Sequence, residues 1–229
     1  MLKFLSEQSS PILLMIFLIE NCLVTLMALF AGWLTQKLTH KLIESPSRNE
    51  VLVCITTNLI NTFITYAGFK MWQSGFLVFG FNHSWLIVFD FVLLFLVMDL
   101  AMYVLHYGIH HTAVYNKIHK FHHYYSHPKP IDLFVLHPLE TVSFGVLWLG
   151  IISIYVFNFY AVIIYLIINV VFGIAGHLGT EPLSDKTRNS LLFKYLGSST
   201  FHHNHHADIN YNYGFYTNIW DRIFKTYKP

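Results

Sequence analysis

The sequence predicts an all-α integral membrane protein of about four to five transmembrane helices, with a histidine-rich helical cap on the cytoplasmic side. Three observations lead there. Of the 229 residues, 55% are hydrophobic and only 11% charged, and the apolar ones form long blocks. Lysine and arginine collect in alternate connections between those blocks. Thirteen of the 15 histidines fall between His106 and His206.

A helix needs about 20 apolar residues to cross a bilayer. Pro11–Trp33, Val51–Phe69 and Trp85–Leu105 each meet that length. The first block lacks the basic flank and small-residue cleavage pattern of a signal peptide, so it is expected to remain as a helix. Thr141–Gly176 is too long for one crossing and is expected to be a hairpin turning near Asn158, with two short arms. Pro128, Pro130 and Pro138 punctuate the stretch after block three, where helices should be short. No repeat or second globular unit is visible. The chain is expected to form one domain, with N-terminal transmembrane helices over 1–84 and the chemistry over 85–229.

Charge orients this arrangement. Lys37, Lys41, Arg48, Lys117, Lys120, Lys129, Lys186, Arg188, Lys194, Arg222, Lys225 and Lys228 share one side if the blocks cross in turn. By the positive-inside bias that side is cytoplasmic. The expected location is the cytoplasmic membrane in a bacterium or the endoplasmic reticulum in a eukaryote. A net charge of +2 gives no reason to expect nucleic acid. Cys22 and Cys54 lie inside apolar blocks and read as small buried hydrophobes, with no disulfide or thiolate site.

The histidines carry the chemistry. "DLAMYVLHYGIHH" sets Asp99, Tyr103, His106 and His110 on one helical stripe. "HKFHH" places His119, His122 and His123 at i, i+3 and i+4, and "HHNHH" repeats that frame with His202, His205 and His206. On a helix such spacing lets two or three rings converge on a metal ion, and neutral imidazole suits iron, zinc, copper and nickel. His177 ends the hairpin's second arm at the depth of His106, where an ionisable residue points to function. These nine candidates are too many for one ion, since a single zinc takes about three or four protein ligands. Two metals are the simplest account. His111 and His203 adjoin the boxes but point about 100° away on a helix. His40 and His83 stand alone, and His127 sits in a loop. His137 either lines the site or caps a helix.

These residues resemble the fatty acid hydroxylase superfamily of sterol desaturases, sterol methyl oxidases and lipid hydroxylases. The resemblance rests on HxxxH at His106–His110, HxxHH at His119–His123, "HPLE" at His137–Glu140, His177, HxxHH at His202–His206, and the closing "NYGFYTNIWDRIFKT". It implies two iron ions that activate O2 against a C–H bond of a bilayer lipid. It also implies a separate electron donor such as cytochrome b5 or ferredoxin with its reductase. Asp99, Tyr103, His137, Glu140, Asp208 and Asp221 are then candidates to orient ligand rings. Tyr107, Gly173 and Lys225 depart from the family's pattern, which often has Arg, His and Gly there. Two other classes compete: a metal transporter, which would place ligands near the bilayer midplane, and a metal-dependent lipid hydrolase, for which no HExxH or GxSxG motif is present.

Overall fold

A computed structural model describes residues 2–42, 44–124 and 128–229, so His127 lies outside the described residues. A short α1 (Leu2–Ser6) leads into α2 (Ser10–Leu38), which opens with Pro11 in its first turn. There the missing N–H of proline costs no hydrogen bond. Next comes α3 (Arg48–Gln73), started by a capping box between Ser47 and Glu50. It is followed by α4 (Leu86–His110), α5 (Pro138–Ser153) and α6 (Phe159–Gly176). Asn158 caps α6 and His137 caps α5, each accepting from a backbone N–H two residues on. Shorter helices close the chain: α7 (Asp185–Arg188), α8 (Ser199–Ala207) and α9 (Ile219–Ile223).

Among the described residues, α2, α3, α4 and α6 are long and apolar enough to cross a membrane, whereas α5 is shorter. Helices α2 to α6 alternate in direction. Tyr66 on α3 reaches back to Ser10 on α2, and Asp90 at the start of α4 accepts from Asn158 between α5 and α6. The opposite end holds every connection that carries histidine boxes. Met27, Val88 and Val146 point outward at 63–65% exposure, the reverse of a water-soluble surface. Polar side chains turn inward and pair, as Thr25 Oγ1 does with Asn58 Oδ1 at 2.9 Å. Cys54 is buried as expected, but Cys22 is not: it faces outward from α2. Its position on the broad apolar outer face of that helix is the reason.

Between α4 and α5 the chain forms short pieces, as the prolines foretold: a π-turn at Tyr115–His119 and 3₁₀ turns at His122–Tyr124 and Pro130–Phe134. The second histidine box is therefore no continuous α-helix, contrary to the reading of its spacing.

Asp99 fixes the tail to this bundle. Its Oδ1 accepts from the N–H groups of Tyr216 and Thr217, both at 3.1 Å. Its Oδ2 accepts from Thr217 Oγ1 at 2.5 Å and Trp220 Nε1 at 2.9 Å. Tyr216 then wedges between α4 and α6, stacked on Phe95 and hydrogen-bonded to Tyr165 and Asn169. Asp99 and Tyr103 thus bind the tail and reach no ligand ring; Tyr103 bonds Thr226 and stacks on Phe224. Asp99→Ala strands several buried donors and should cost about 2–4 kcal/mol. Thermal unfolding and limited proteolysis would show a lower midpoint and early cleavage in 211–229; an unchanged tail would contradict this role.

Candidate metal centre

All nine histidines come together in two groups. His106, His110, His119, His123 and His205 form one, and His122, His177, His202 and His206 the other. Within each group one ring nitrogen per residue lies within 4.8 Å of all the rest. The groups share a wall, with His123 and His206 ring centres 4.6 Å apart.

The boxes divide between the groups by helical phase. In each HxxHH box the i, i+4 pair serves one group and the i+3 ring serves the other. His119 and His123 join the first while His122 crosses to the second; His202 and His206 join the second while His205 crosses to the first. On α8, residues i+3 and i+4 are about 100° apart, so adjacent rings face different centres; the π and 3₁₀ turns of the second box keep the same division. Two rings of each box converge on one group, as the spacing allows, and the third turns to the other. On α4, His106 and His110 are another i, i+4 pair. At the end of α6 only its C-capping residue His177 contributes; one turn earlier stands Gly173, with Leu133 packed where a Cβ would be.

Backbone carbonyls fix the rings. Nδ1–H of His106 donates to Tyr213 O at 2.8 Å, that of His177 to Gly173 O at 2.8 Å, and that of His205 to Tyr211 O at 2.6 Å. A carbonyl can only accept, so Nδ1 carries the proton and Nε2 keeps a bare lone pair. As a carboxylate, Glu140 accepts from His119 Nδ1 through Oε1 at 2.7 Å and leaves its Nε2 bare as well. Yet His106 Nε2 and His119 Nε2 are 3.0 Å apart. Two lone pairs at that distance repel unless a cation lies against both. Other neighbouring Nε2 atoms are separated by 3.1 Å (His106 and His110, His119 and His123, His202 and His206) or 3.3 Å (His177 and His202). Nitrogens about 2.0–2.1 Å from a metal lie about 3.0 Å apart at right angles and about 3.4 Å apart at the tetrahedral angle. The donor set fits bound transition metals.

Burial, reinforced by neighbouring rings, holds His119, His122, His123, His202 and His205 neutral far below the usual histidine range. Burial lowers His177 to about 4. Neutral imidazole is the form a metal requires.

The remaining candidates lie farther out. Asp221 accepts from the N–H groups of Tyr213 and Gly214, each at 2.8 Å, and so aims the Tyr213 carbonyl at His106. Gly214 is required there, because a Cβ would strike the Thr217 carbonyl and Asp221 Oδ2. Asn212 sits at φ 62° and pairs with the Lys228 backbone, so the "NYG" stretch has a physical purpose at each position. Lys225 occupies φ 61°, a conformation that suits the glycine the resemblance leads one to expect. Asp208 pairs with Lys228 at 2.7 Å and touches no ligand ring, because it caps α8 facing the tail. His137 caps α5 and stays outside both groups, as do His111, stacked on Tyr107, and His203. Carbonyl acceptors at Gly173, Tyr211 and Tyr213 carry no signature in their side chains; the closing "NYG" was the one available signal.

Residues 91–226, which include all nine of these histidines, match the family model described as fatty acid hydroxylase. The chain belongs to that family. It is 33% identical over 152 residues to lathosterol oxidase of Mus musculus, covering 65% of this chain and 48% of that protein. It is 32% identical to the Delta(7)-sterol 5(6)-desaturase of Leptosphaeria maculans over 57% of this chain and 34% of that protein. It is 30% identical to methylsterol monooxygenase 1 of Danio rerio over 56% of this chain and 43% of that protein. The aligned stretches thus span less than half the length of these relatives. No solved structure matches the chain.

Glu140→Ala removes the acceptor behind His119 and should weaken metal affinity about 10–100-fold, read by chelator competition; unaltered affinity would show that the contact is idle. For metal-free protein, the folded histidine pKa values lie below the unfolded value of about 6.5, so the unfolded chain binds more protons in acid. Stability is then full above that value and should fall as pH drops from about 6.5 toward the His177 value of about 4. Thermal midpoints that rise on acidification would contradict the assignment.

Proposed function

We propose that the protein is a membrane oxidoreductase that holds two iron ions and uses O2 to hydroxylate or desaturate a lipid. The bare Nε2 atoms of His106 and His119, 3.0 Å apart and fixed from behind, carry this reading. Nine histidines in two adjoining groups support two ions. The sterol enzymes among its relatives favour a sterol, with a fatty acyl or isoprenoid chain as the broader class. The lysine and arginine bias of the loops at the histidine end supports a cytoplasmic site, where a separate carrier delivers electrons.

Bound iron would supply reduction of O2 to an oxidant able to take hydrogen from an unactivated C–H bond. Hydroxylation consumes O2, two electrons and two protons and releases one water; desaturation releases two. The protein's own part is preorganisation. Carbonyls of Gly173, Tyr211 and Tyr213 hold three rings in one tautomer, and Glu140 holds a fourth. Those ligands need not reorient during turnover. Tyr213, almost wholly buried, covers His106, His110 and His205 and shields that group from water. Four helices long and apolar enough to cross a membrane support approach of a lipid from the bilayer.

His205→Ala and His122→Ala each remove one ring from a different group. Mass-spectrometric lipid profiles of a deletion strain carrying either variant should match the deletion, whereas the wild-type gene restores the parent profile. Restoration by either variant would refute the proposal.

A further inference from the structure

The tail enters the layer occupied by the membrane helices. Asp99, which holds Tyr216 and Thr217, precedes His106 by seven residues, about 10 Å along α4 toward its far end. Phe95, stacked on Tyr216 with ring centres 5.1 Å apart, lies a further turn in. The loop after α7 is pinned at the same level. Asn218 N donates to Tyr195 O at 2.9 Å, and Asn218 Nδ2 donates to Lys194 O at 3.0 Å. Leu196 and Thr217 form a backbone bridge.

Leu191 and Leu192 project from this loop, each 80% exposed. On the tail, Ile223 and Phe224 are also exposed, at 57% and 54%, next to Arg222, which reaches Tyr195 of this loop. On a water-facing cap these side chains would be costly. The loop that carries Leu191 and Leu192 is tied through Lys194, Tyr195 and Leu196 to Thr217 and Asn218, the stretch that Asp99 holds against α4. The cations around them suit a bilayer boundary: Lys194 extends over the Tyr195 ring, 4.8 Å from its centre, while Arg222 lies between the rings of Tyr195 and Tyr227, at 5.5 Å and 3.8 Å, and donates to Asn218 Oδ1. Long basic side chains bury their stems and raise their charged ends to headgroups, and tyrosine favours the same zone.

We propose that the loop around Leu191 and Leu192 is a membrane anchor, inserted at the acyl–headgroup boundary beside α4, with Lys194 reaching lipid phosphates. The partner is the bilayer itself. The anchor holds the histidine cap down against the membrane, and its existence does not depend on the identity of the bound metal or the reaction.

Its depth can be measured in nanodiscs of zwitterionic and anionic phospholipid. Cys22→Ser removes the exposed native thiol, and Leu191→Cys then accepts an environment-sensitive fluorophore. Val88→Cys on α4 serves as a lipid-facing control and Lys117→Cys as a control in the cap. The Leu191 label should emit at shorter wavelength than the Lys117 label, and brominated acyl chains should quench it while aqueous iodide does not. Quenching by iodide but not by brominated lipid would overturn the proposal. So would protection from both quenchers, which would indicate a protein partner. Wild-type binding of metal by the labelled protein confirms that it is folded.

Discussion

A set of imidazole lone pairs, turned toward one another in a buried space, is the constraint around which this protein is organised. Carbonyls behind His106, His177 and His205 fix the protons on the outer nitrogens and force the inner ones to remain bare. Burial keeps the neighbouring rings uncharged. Such an arrangement is unfavourable by itself and favourable around cations. The helices, the turns between α4 and α5 and the tail all act to hold it.

The tail does so from an unexpected direction. Rather than closing over the cap from outside, it runs down between α4 and α6 to Tyr216, tied by Asp99, and presents the carbonyls of Tyr211 and Tyr213 to two ligand rings on the way. Anchoring and ligand orientation therefore belong to one segment. Asp221 couples them: it holds the N–H groups of Tyr213 and Gly214 and the hydroxyl of Thr226 together.

Much of this was legible in the sequence because it is local. Apolar block length gave the spans and the turn near Asn158; histidine spacing gave eight members of the two groups, and depth at the end of the hairpin gave His177. What escaped depends on contacts between distant positions. Nothing near Asp99 announces that its partners are Tyr216, Thr217 and Trp220, so its place on the histidine stripe suggested a ligand-orienting role instead. The division of each HxxHH box was implicit in helical phase, but required two centres side by side to become meaningful. The second box also lost its helical form, as a π-turn and a 3₁₀ turn replaced a continuous helix. Glu140 was legible because it is a side chain, whereas three backbone carbonyls with the same purpose were not.

The most direct measurement is X-ray absorption at the iron edge, with elemental analysis, on protein purified from membranes under iron-replete conditions. The account predicts two iron ions per chain in a shell dominated by imidazole nitrogen. One ion per chain, or a first shell without imidazole scattering, would contradict it.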